Sequence, residues 1–82
     1  MDGSEIRLIW KRTVIGGDEL RYDFTATLNG RTVGRIRRHW DEKRWIWSAY
    51  LADGTGRNGV VGARQVAVAM INMACGIEPA HK

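Results

Sequence analysis

The chain has 82 residues, enough for one domain with a single modest core, and we treat 1–82 as that domain with tails at 1–4 and 77–82. Its one cysteine, Cys75, excludes an internal disulfide and a cysteine-based zinc cluster, and it fits a reducing compartment such as the cytoplasm. The net charge is +4, and the segment from Arg31 to Arg44 accounts for all of it, with six basic residues and two acids. The longest apolar run, Val66 to Ile71, is too short to cross a membrane, and the acidic N-terminus is unlike a signal peptide.

Alternating apolar and polar side chains predict two strands in the first third of the chain. Residues 5–14 are mostly apolar at even positions, with Arg12 as the interruption. Gly16-Gly17-Asp18-Glu19 then has the composition of a turn. Residues 20–28 give the clearest alternation, with one face made of Leu20, Tyr22, Phe24, Ala26 and Leu28.

The pair Asn29-Gly30 predicts a hairpin between this strand and a third one at 31–40. A two-residue turn would place Phe24 opposite Arg35 and so mix apolar and charged side chains. A three-residue loop with a left-handed glycine instead pairs Phe24 with Gly34, and Asp23 with Arg35. Because a slip of one residue exchanges the two faces, we expect the three-residue loop.

A fourth strand is predicted at 45–51, after a turn at 41–44. In this register Arg38 lies opposite Trp47, where its guanidinium can stack on the indole. The next segment, 53–62, contains four glycines and is interpreted as a flexible connection. It lacks the Lys-Ser/Thr ending and the parallel βαβ unit of a phosphate-binding loop, so we interpret it as a plain loop.

The four tryptophans divide by their position along the predicted strands. All four fall on the helix side of the sheet, and we expect Trp10 and Trp45 in the core. Trp40 and Trp47 lie nearer the end of the sheet, and we expect them to be partly open. A ligand platform built from all four rings is therefore not predicted.

A C-terminal helix is predicted from Ala63 to Cys75, with Asn58 or Gly62 as its N-cap and Gly76 as its end. Spacings of three and four residues define its buried stripe, which consists of Ala63, Val66, Ala67, Met70, Ile71 and Ala74. Val68 and Met73 widen the apolar surface. We interpret these two residues as a partner contact, with a homodimer through the helix as one candidate; the alternative is a helix sunk deeply into its own sheet.

Together these elements predict an α+β fold: a four-stranded antiparallel meander in order 1-2-3-4, with one C-terminal helix packed on one face. Residues 29–36, the Trp45-Ile46-Trp47-Ser48 strand and the helix start at Gly62-Ala63 resemble a family of short uncharacterised bacterial proteins. That family has several strands, a Trp-x-Trp-Ser strand, a glycine-rich loop and one closing helix. The resemblance covers residues 20 to 75 approximately; it implies this fold and no activity.

The face of the sheet away from the helix is predicted to carry six basic residues against one acid, together with an aromatic ring. Proteins that bind single-stranded nucleic acid combine a cationic surface with aromatic side chains in this way. The candidate residues for nucleic-acid binding are Arg7, Lys11, Arg21, Arg31, Arg35, Arg37 and Tyr50. The other interpretation is that these side chains only keep an exposed sheet face in solution.

Candidate catalytic residues are scarce. His39 and His81 are far apart in the sequence, and neither Ser48 nor Cys75 has an evident base partner. No metal site and no cofactor are predicted. We therefore expect a structural or protein-interaction module, with self-association included, rather than an enzyme. Nucleic-acid binding is the alternative function.

Overall fold

The computed structural model describes residues 7–77. Five strands form one antiparallel sheet in the order β1-β2-β3-β4-β5, and one helix, α1, follows them. Their bounds are β1 Ile9–Ile15, β2 Asp18–Leu28, β3 Arg31–Arg38, β4 Trp45–Tyr50, β5 Gly56–Val61 and α1 Arg64–Ala74. The α+β class, the antiparallel meander and the C-terminal helix are confirmed, whereas the predicted number of four strands is wrong. The predicted tail at 1–4 and residues 78–82 of the predicted tail at 77–82 lie outside the described residues.

Strand β5 lies in the segment that the glycines marked as a flexible connection. It pairs with β4, and Gly59 lies opposite Trp47. A Cβ atom at Gly59 would be only 2.8 Å from Nε1 of Trp47, so the indole occupies the space of the missing side chain. An edge strand can be held by backbone hydrogen bonds, which need no particular side chain. The glycine that suggests a loop is therefore required by the packing of a strand.

The β2–β3 hairpin has a tighter turn than predicted. Asn29 and Gly30 have φ angles of 53° and 81°, so both central residues have the positive φ of a type I′ turn. A β-bulge farther along the hairpin shifts the register again, and Phe24 lies opposite Ile36 instead of Gly34. The left-handed Gly30 is confirmed, but the three-residue loop and its pairing are wrong. The bulge, and not the loop, brings apolar residues opposite each other.

Helix α1 begins without a side-chain cap. Its N-cap is Ala63, and the predicted candidates are wrong because Asn58 lies within β5 and Gly62 precedes the cap. The C-terminal end of the helix lies at Gly76 as predicted, and this residue has a φ angle of 74°. The N–H of Gly76 donates to the carbonyl of Met73. The N–H of Ile77 donates to the carbonyl of Asn72, and the two hydrogen bonds together form a Schellman motif.

The core lies between α1 and the β3–β5 half of the sheet. Its buried members are Ile36, Trp47, Ala49, Ala67 and Ile71. The helix axis approaches the sheet closely at Gly34, where a Cβ atom would be 2.8 Å from Cγ2 of Ile71. Within the described residues α1 packs on β4, β5 and β3, and not on β1 or β2. The first two strands therefore extend beyond the helix.

Two exposures differ from the sequence-based prediction. Val66 was expected in the buried stripe but is 43% exposed, because the stripe is centred on Ala67 and Ile71. Trp47 was expected to be partly open but is 6% exposed, because it pairs with Ile36 directly beneath the helix.

The other three tryptophans follow their predictions only in part, since two were expected in the core and Trp40 was expected to be partly open. Trp10 and Trp45 are half-buried against the core, and Trp40 is 85% exposed. The predicted partner of Arg38 is wrong, since this residue lies opposite Trp45. Its guanidinium carbon is 3.5 Å from the ring centroid of Tyr22 and 5.6 Å from that of Trp45. Arg38 therefore covers aromatic surface that the helix does not reach.

Candidate nucleic-acid interface

The surface of the sheet opposite α1, called the open face below, has a polar centre. Strand alternation and the cross-strand contacts place on it Lys11, Thr13, Arg21, Asp23, Thr25, Arg35, Arg37, Ile46, Ser48, Tyr50 and Asn58. The sequence-based prediction put most of these side chains on this face.

The centre of the open face is a carboxylate with both oxygens occupied. Asp23 is 6% exposed, and Arg35 approaches it with two donors: Nε is 2.8 Å from Oδ1 and Nη2 is 2.6 Å from Oδ2. Thr13 Oγ1 also donates to Oδ1, at 2.6 Å. The pairing of Asp23 with Arg35 was predicted, but the two residues are diagonal neighbours, and Arg37 lies directly opposite Asp23.

The ionisation of Asp23 follows from these contacts. Burial by itself would raise the pKa of this carboxyl, but hydrogen bonds from Arg35 and Thr13 and the charges of Arg35 and Arg37 outweigh it, so the pKa is lowered. The hydrogen bond to Asp23 in turn raises the pKa of Arg35. The bidentate pair links β2 to β3, and the Thr13 hydroxyl adds β1. Arg35 is thus committed to the fold and is poorly available to a ligand.

The sequence predicted Arg31 on the open face, and this prediction is wrong. The two-residue Asn29-Gly30 turn pairs it with Leu28, and both residues line a cleft that also includes Cys75 of the helix C-terminus. Burial raises the pKa of the Cys75 thiol, and the nearby charge of Arg31 opposes that rise. The displacement follows from the bulge, because its extra residue, Val33, lies between Arg31 and Arg35 and so puts these two side chains on opposite faces.

Three predicted cations remain accessible on the open face, namely Lys11, Arg21 and Arg37. No carboxylate of residues 7–77 lies within salt-bridge distance of any of them. Arg7 is also exposed, and it precedes β1. The three cations project from three adjacent strands, so their charges act on the same patch of solvent.

Two exposed aromatic rings lie toward opposite ends of the β3–β4 pair. Tyr50 is 43% exposed at the C-terminal end of β4, from which the chain continues to β5. Trp40 is 85% exposed in the turn between β3 and β4, and its ring centroid is 4.8 Å from that of His39. The sequence indicated Trp40 only as partly open and did not propose it for binding. Its position just beyond the last paired residue of β3 was the available signal.

The turn that carries Trp40 is held by hydrogen bonds. Asp41 Oδ1 accepts from the backbone N–H groups of Lys43 and Arg44, at 2.8 and 3.1 Å, and its Oδ2 accepts from Arg44 Nε at 2.7 Å. The hydrogen bond from the Lys43 N–H is the first of several causes that lower the pKa of Asp41. These hydrogen bonds fix the backbone of the turn that follows Trp40.

The two helix residues predicted as a partner contact differ in their exposure. Val68 is half-buried against the core, which corresponds to the alternative of a helix sunk into its own sheet. Met73 is 69% exposed and lies on one line with Val66 and Ala69, which are exposed as well. The accessible apolar stripe of α1 therefore consists of Val66, Ala69 and Met73.

Comparisons with protein-family models, with curated proteins and with solved structures found no match to this chain. Within residues 7–77 no helix has the length and apolar character needed to cross a membrane. In the same residues no group of three or more His, Cys, Asp or Glu side chains is placed to hold a metal ion. The functional argument accordingly starts from the charged and aromatic surfaces described above.

Proposed function

We propose that this domain is a small binding module and that the open face of its sheet binds nucleic acid. The observation that supports this proposal is the trio of Lys11, Arg21 and Arg37, which are exposed and form no salt bridge with a carboxylate of the described residues. The acid at the centre of the face, Asp23, is already saturated by its neighbours. Lysine and arginine side chains of this kind neutralise phosphates and release condensed counterions.

The aromatic rings favour single strands over duplexes. Trp40 and Tyr50 can stack on bases only where the bases are unpaired, because the bases of a duplex already stack on each other. Tyr50 shares the open face with the trio, so a single strand bound there can stack a base on its ring. The single cysteine and the basic charge support the cytoplasm as the compartment.

A salt-dependent titration tests this proposal. Fluorescence anisotropy of a labelled single-stranded oligonucleotide, at several salt concentrations, should show affinity falling as salt rises. Arg37→Gln should weaken binding and reduce the logarithmic salt slope by about one. The matched control is Arg57→Gln, since Arg57 is exposed on β5 opposite Ala49 and thus on the helix side.

Two results would contradict the proposal. One is the absence of salt-sensitive binding to any nucleic acid at low ionic strength. The other is an equal loss of affinity in Arg37→Gln and Arg57→Gln, since that would indicate a non-specific response to net charge. Arg35 is unsuitable for this test, because its replacement would leave Asp23 buried without its cation and so destabilise the fold.

Self-association through α1 is a second candidate function, supported by the composition of the helix. Among its eleven residues only Arg64 is charged, and the exposed stripe of Val66, Ala69 and Met73 is entirely apolar. The small alanine at the centre of the stripe permits close approach of a second helix. In sedimentation experiments Met73→Lys should convert a dimer to a monomer, whereas Gln65→Lys should not. A wild-type chain that stays monomeric at high concentration would rule this out.

A further inference from the structure

A cleft remains where α1 stops short of the first two strands. It has a volume of about 440 Å³, within the range of small-molecule sites. Its apolar lining comes from Trp10, Phe24, Ile36 and Val68. Its charged lining comes from Lys11, Arg12 and Arg64, so cations and apolar groups face the same space.

Two arginines from opposite walls converge on one aromatic ring. Arg12 extends from β1 and Arg64 from the first turn of α1, and their guanidinium carbons lie 5.9 and 5.0 Å from the ring centroid of Phe24. The ring offsets part of the repulsion between the two cations. No carboxylate of residues 7–77 is within salt-bridge distance of either arginine. The cleft therefore contains positive charge that the described side chains do not neutralise.

We infer that this cleft binds a small organic anion with a flat apolar body, namely an aromatic carboxylate. A carboxylate matches the planar donor fork of a guanidinium and would reduce the repulsion between Arg12 and Arg64. An aromatic body would cover the exposed part of Trp10 and Val68. Inorganic phosphate has the charge but no apolar body, so it would leave this lining in water.

The cleft is distinct from the open face. Arg12 lies opposite Phe24 on the helix side of the sheet, and Arg64 belongs to the helix itself. Of the residues proposed for nucleic-acid binding, only Lys11 also lines the cleft, because it projects from the edge strand β1. The inference consequently does not depend on nucleic-acid binding by the domain.

The test is a titration of the full chain with indole-3-acetate, followed by two-dimensional NMR of the backbone amides and the tryptophan indoles. The expected result is saturable shifts at Trp10, Phe24 and Val68, with a dissociation constant on the order of 0.1–1 mM. Indole-3-acetamide has the same body without the charge and should bind about tenfold more weakly. Acetate and inorganic phosphate, which lack the body, should be weaker still.

Variants separate the site from a general charge effect. Arg12→Gln and Arg64→Gln should each weaken indole-3-acetate binding about tenfold and leave the amide analogue unaffected. Both side chains are exposed, so the spectra should retain the dispersion of the folded domain. Arg57→Gln, with the same change of charge outside the cleft, should have no effect.

The inference is overturned by any of three results. The first is the absence of a saturable shift at about 10 mM ligand, which corresponds to a binding free energy too small for a specific site. The second is equal binding of the carboxylate and its amide. The third is that Arg57→Gln weakens binding as much as Arg12→Gln and Arg64→Gln do. Displacement of indole-3-acetate by a short oligonucleotide that itself requires Arg12 and Arg64 would also overturn it, because the cleft would then belong to the nucleic-acid surface.

Discussion

Gly34→Ala tests the closest approach between the helix and the sheet. The added Cβ atom would lie 2.8 Å from Cγ2 and 3.2 Å from Cδ1 of Ile71, and 3.2 Å from the carbonyl oxygen of Ser48. Ile71 is fully buried, and a β-branched side chain has little freedom at χ1, so it cannot turn away. The helix or the strand must therefore move.

The expected cost follows from two opposing effects. Overpacking of a core by one carbon typically costs about 1–3 kcal/mol. Replacement of glycine by alanine lowers the entropy of the unfolded chain and returns about 0.4–1 kcal/mol, since the φ of Gly34 is not in the left-handed region. We expect a net loss of about 1–2 kcal/mol in the free energy of unfolding, or about 4–8 °C in Tm for each kcal/mol.

Chemical denaturation measures this loss, and Gly62→Ala is the control. Gly62 has no atom within 4 Å of its Cβ position and no positive φ, so this variant should be neutral or slightly stabilising. Adding Ile71→Val removes Cδ1, one of the two side-chain contacts, and should give a favourable coupling of about 0.5–1 kcal/mol with Gly34→Ala. Equal stabilities of the two alanine variants would refute the close helix–sheet contact.

Three further predictions concern the core, the turn and the buried ion pair. Trp47→Ala should lower the free energy of unfolding by about 3–5 kcal/mol and Trp45→Ala by less, because of these two only Trp47 is buried, while Trp40→Ala should change it by less than about 0.5 kcal/mol. Gly30→Val should destabilise, because a β-branched residue disfavours the φ of 81°; an unchanged Tm would contradict this. The pKa of Asp23 is lower in the folded state than in the unfolded chain. The ionised carboxylate therefore stabilises the fold at pH values above its ordinary pKa of about 3.9, and this stabilisation is lost as the pH falls through the folded-state pKa. Asp23→Asn should therefore flatten the acid limb of stability against pH, and an unaltered limb would argue against the pair.

Side-chain alternation was sufficient to predict the faces of the inner strands. A strand has a period of two residues, so Phe24, Ile36 and Trp47 had to share one side once each strand was recognised. The Asn29-Gly30 turn and the helix end at Gly76 were also readable, because both depend on local backbone conformations that glycine favours. These features are confirmed because their causes lie within a few neighbouring residues.

Pairing and burial depended on the assembled fold. A bulge in β3 decides the register and moves Arg31 to the helix side, and no local pattern marks it. Strand β5 pairs with β4 through its backbone, and Trp47 fills the space above Gly59, a contact between residues twelve positions apart.

The two candidate sites were likewise predictable from the sequence in part and decided by the tertiary structure in part. The cations of the open face and the pairing of Asp23 with Arg35 could be predicted from the sequence, but the diagonal register of that pair required the assembled sheet. The convergence of Arg12 and Arg64 on Phe24 was not predictable, since it depends on where the helix lies across the sheet. The sequence by itself determined which side chains share a strand face, because that follows from covalent geometry. Only the tertiary structure decided which charges meet, because that follows from the packing of distant segments.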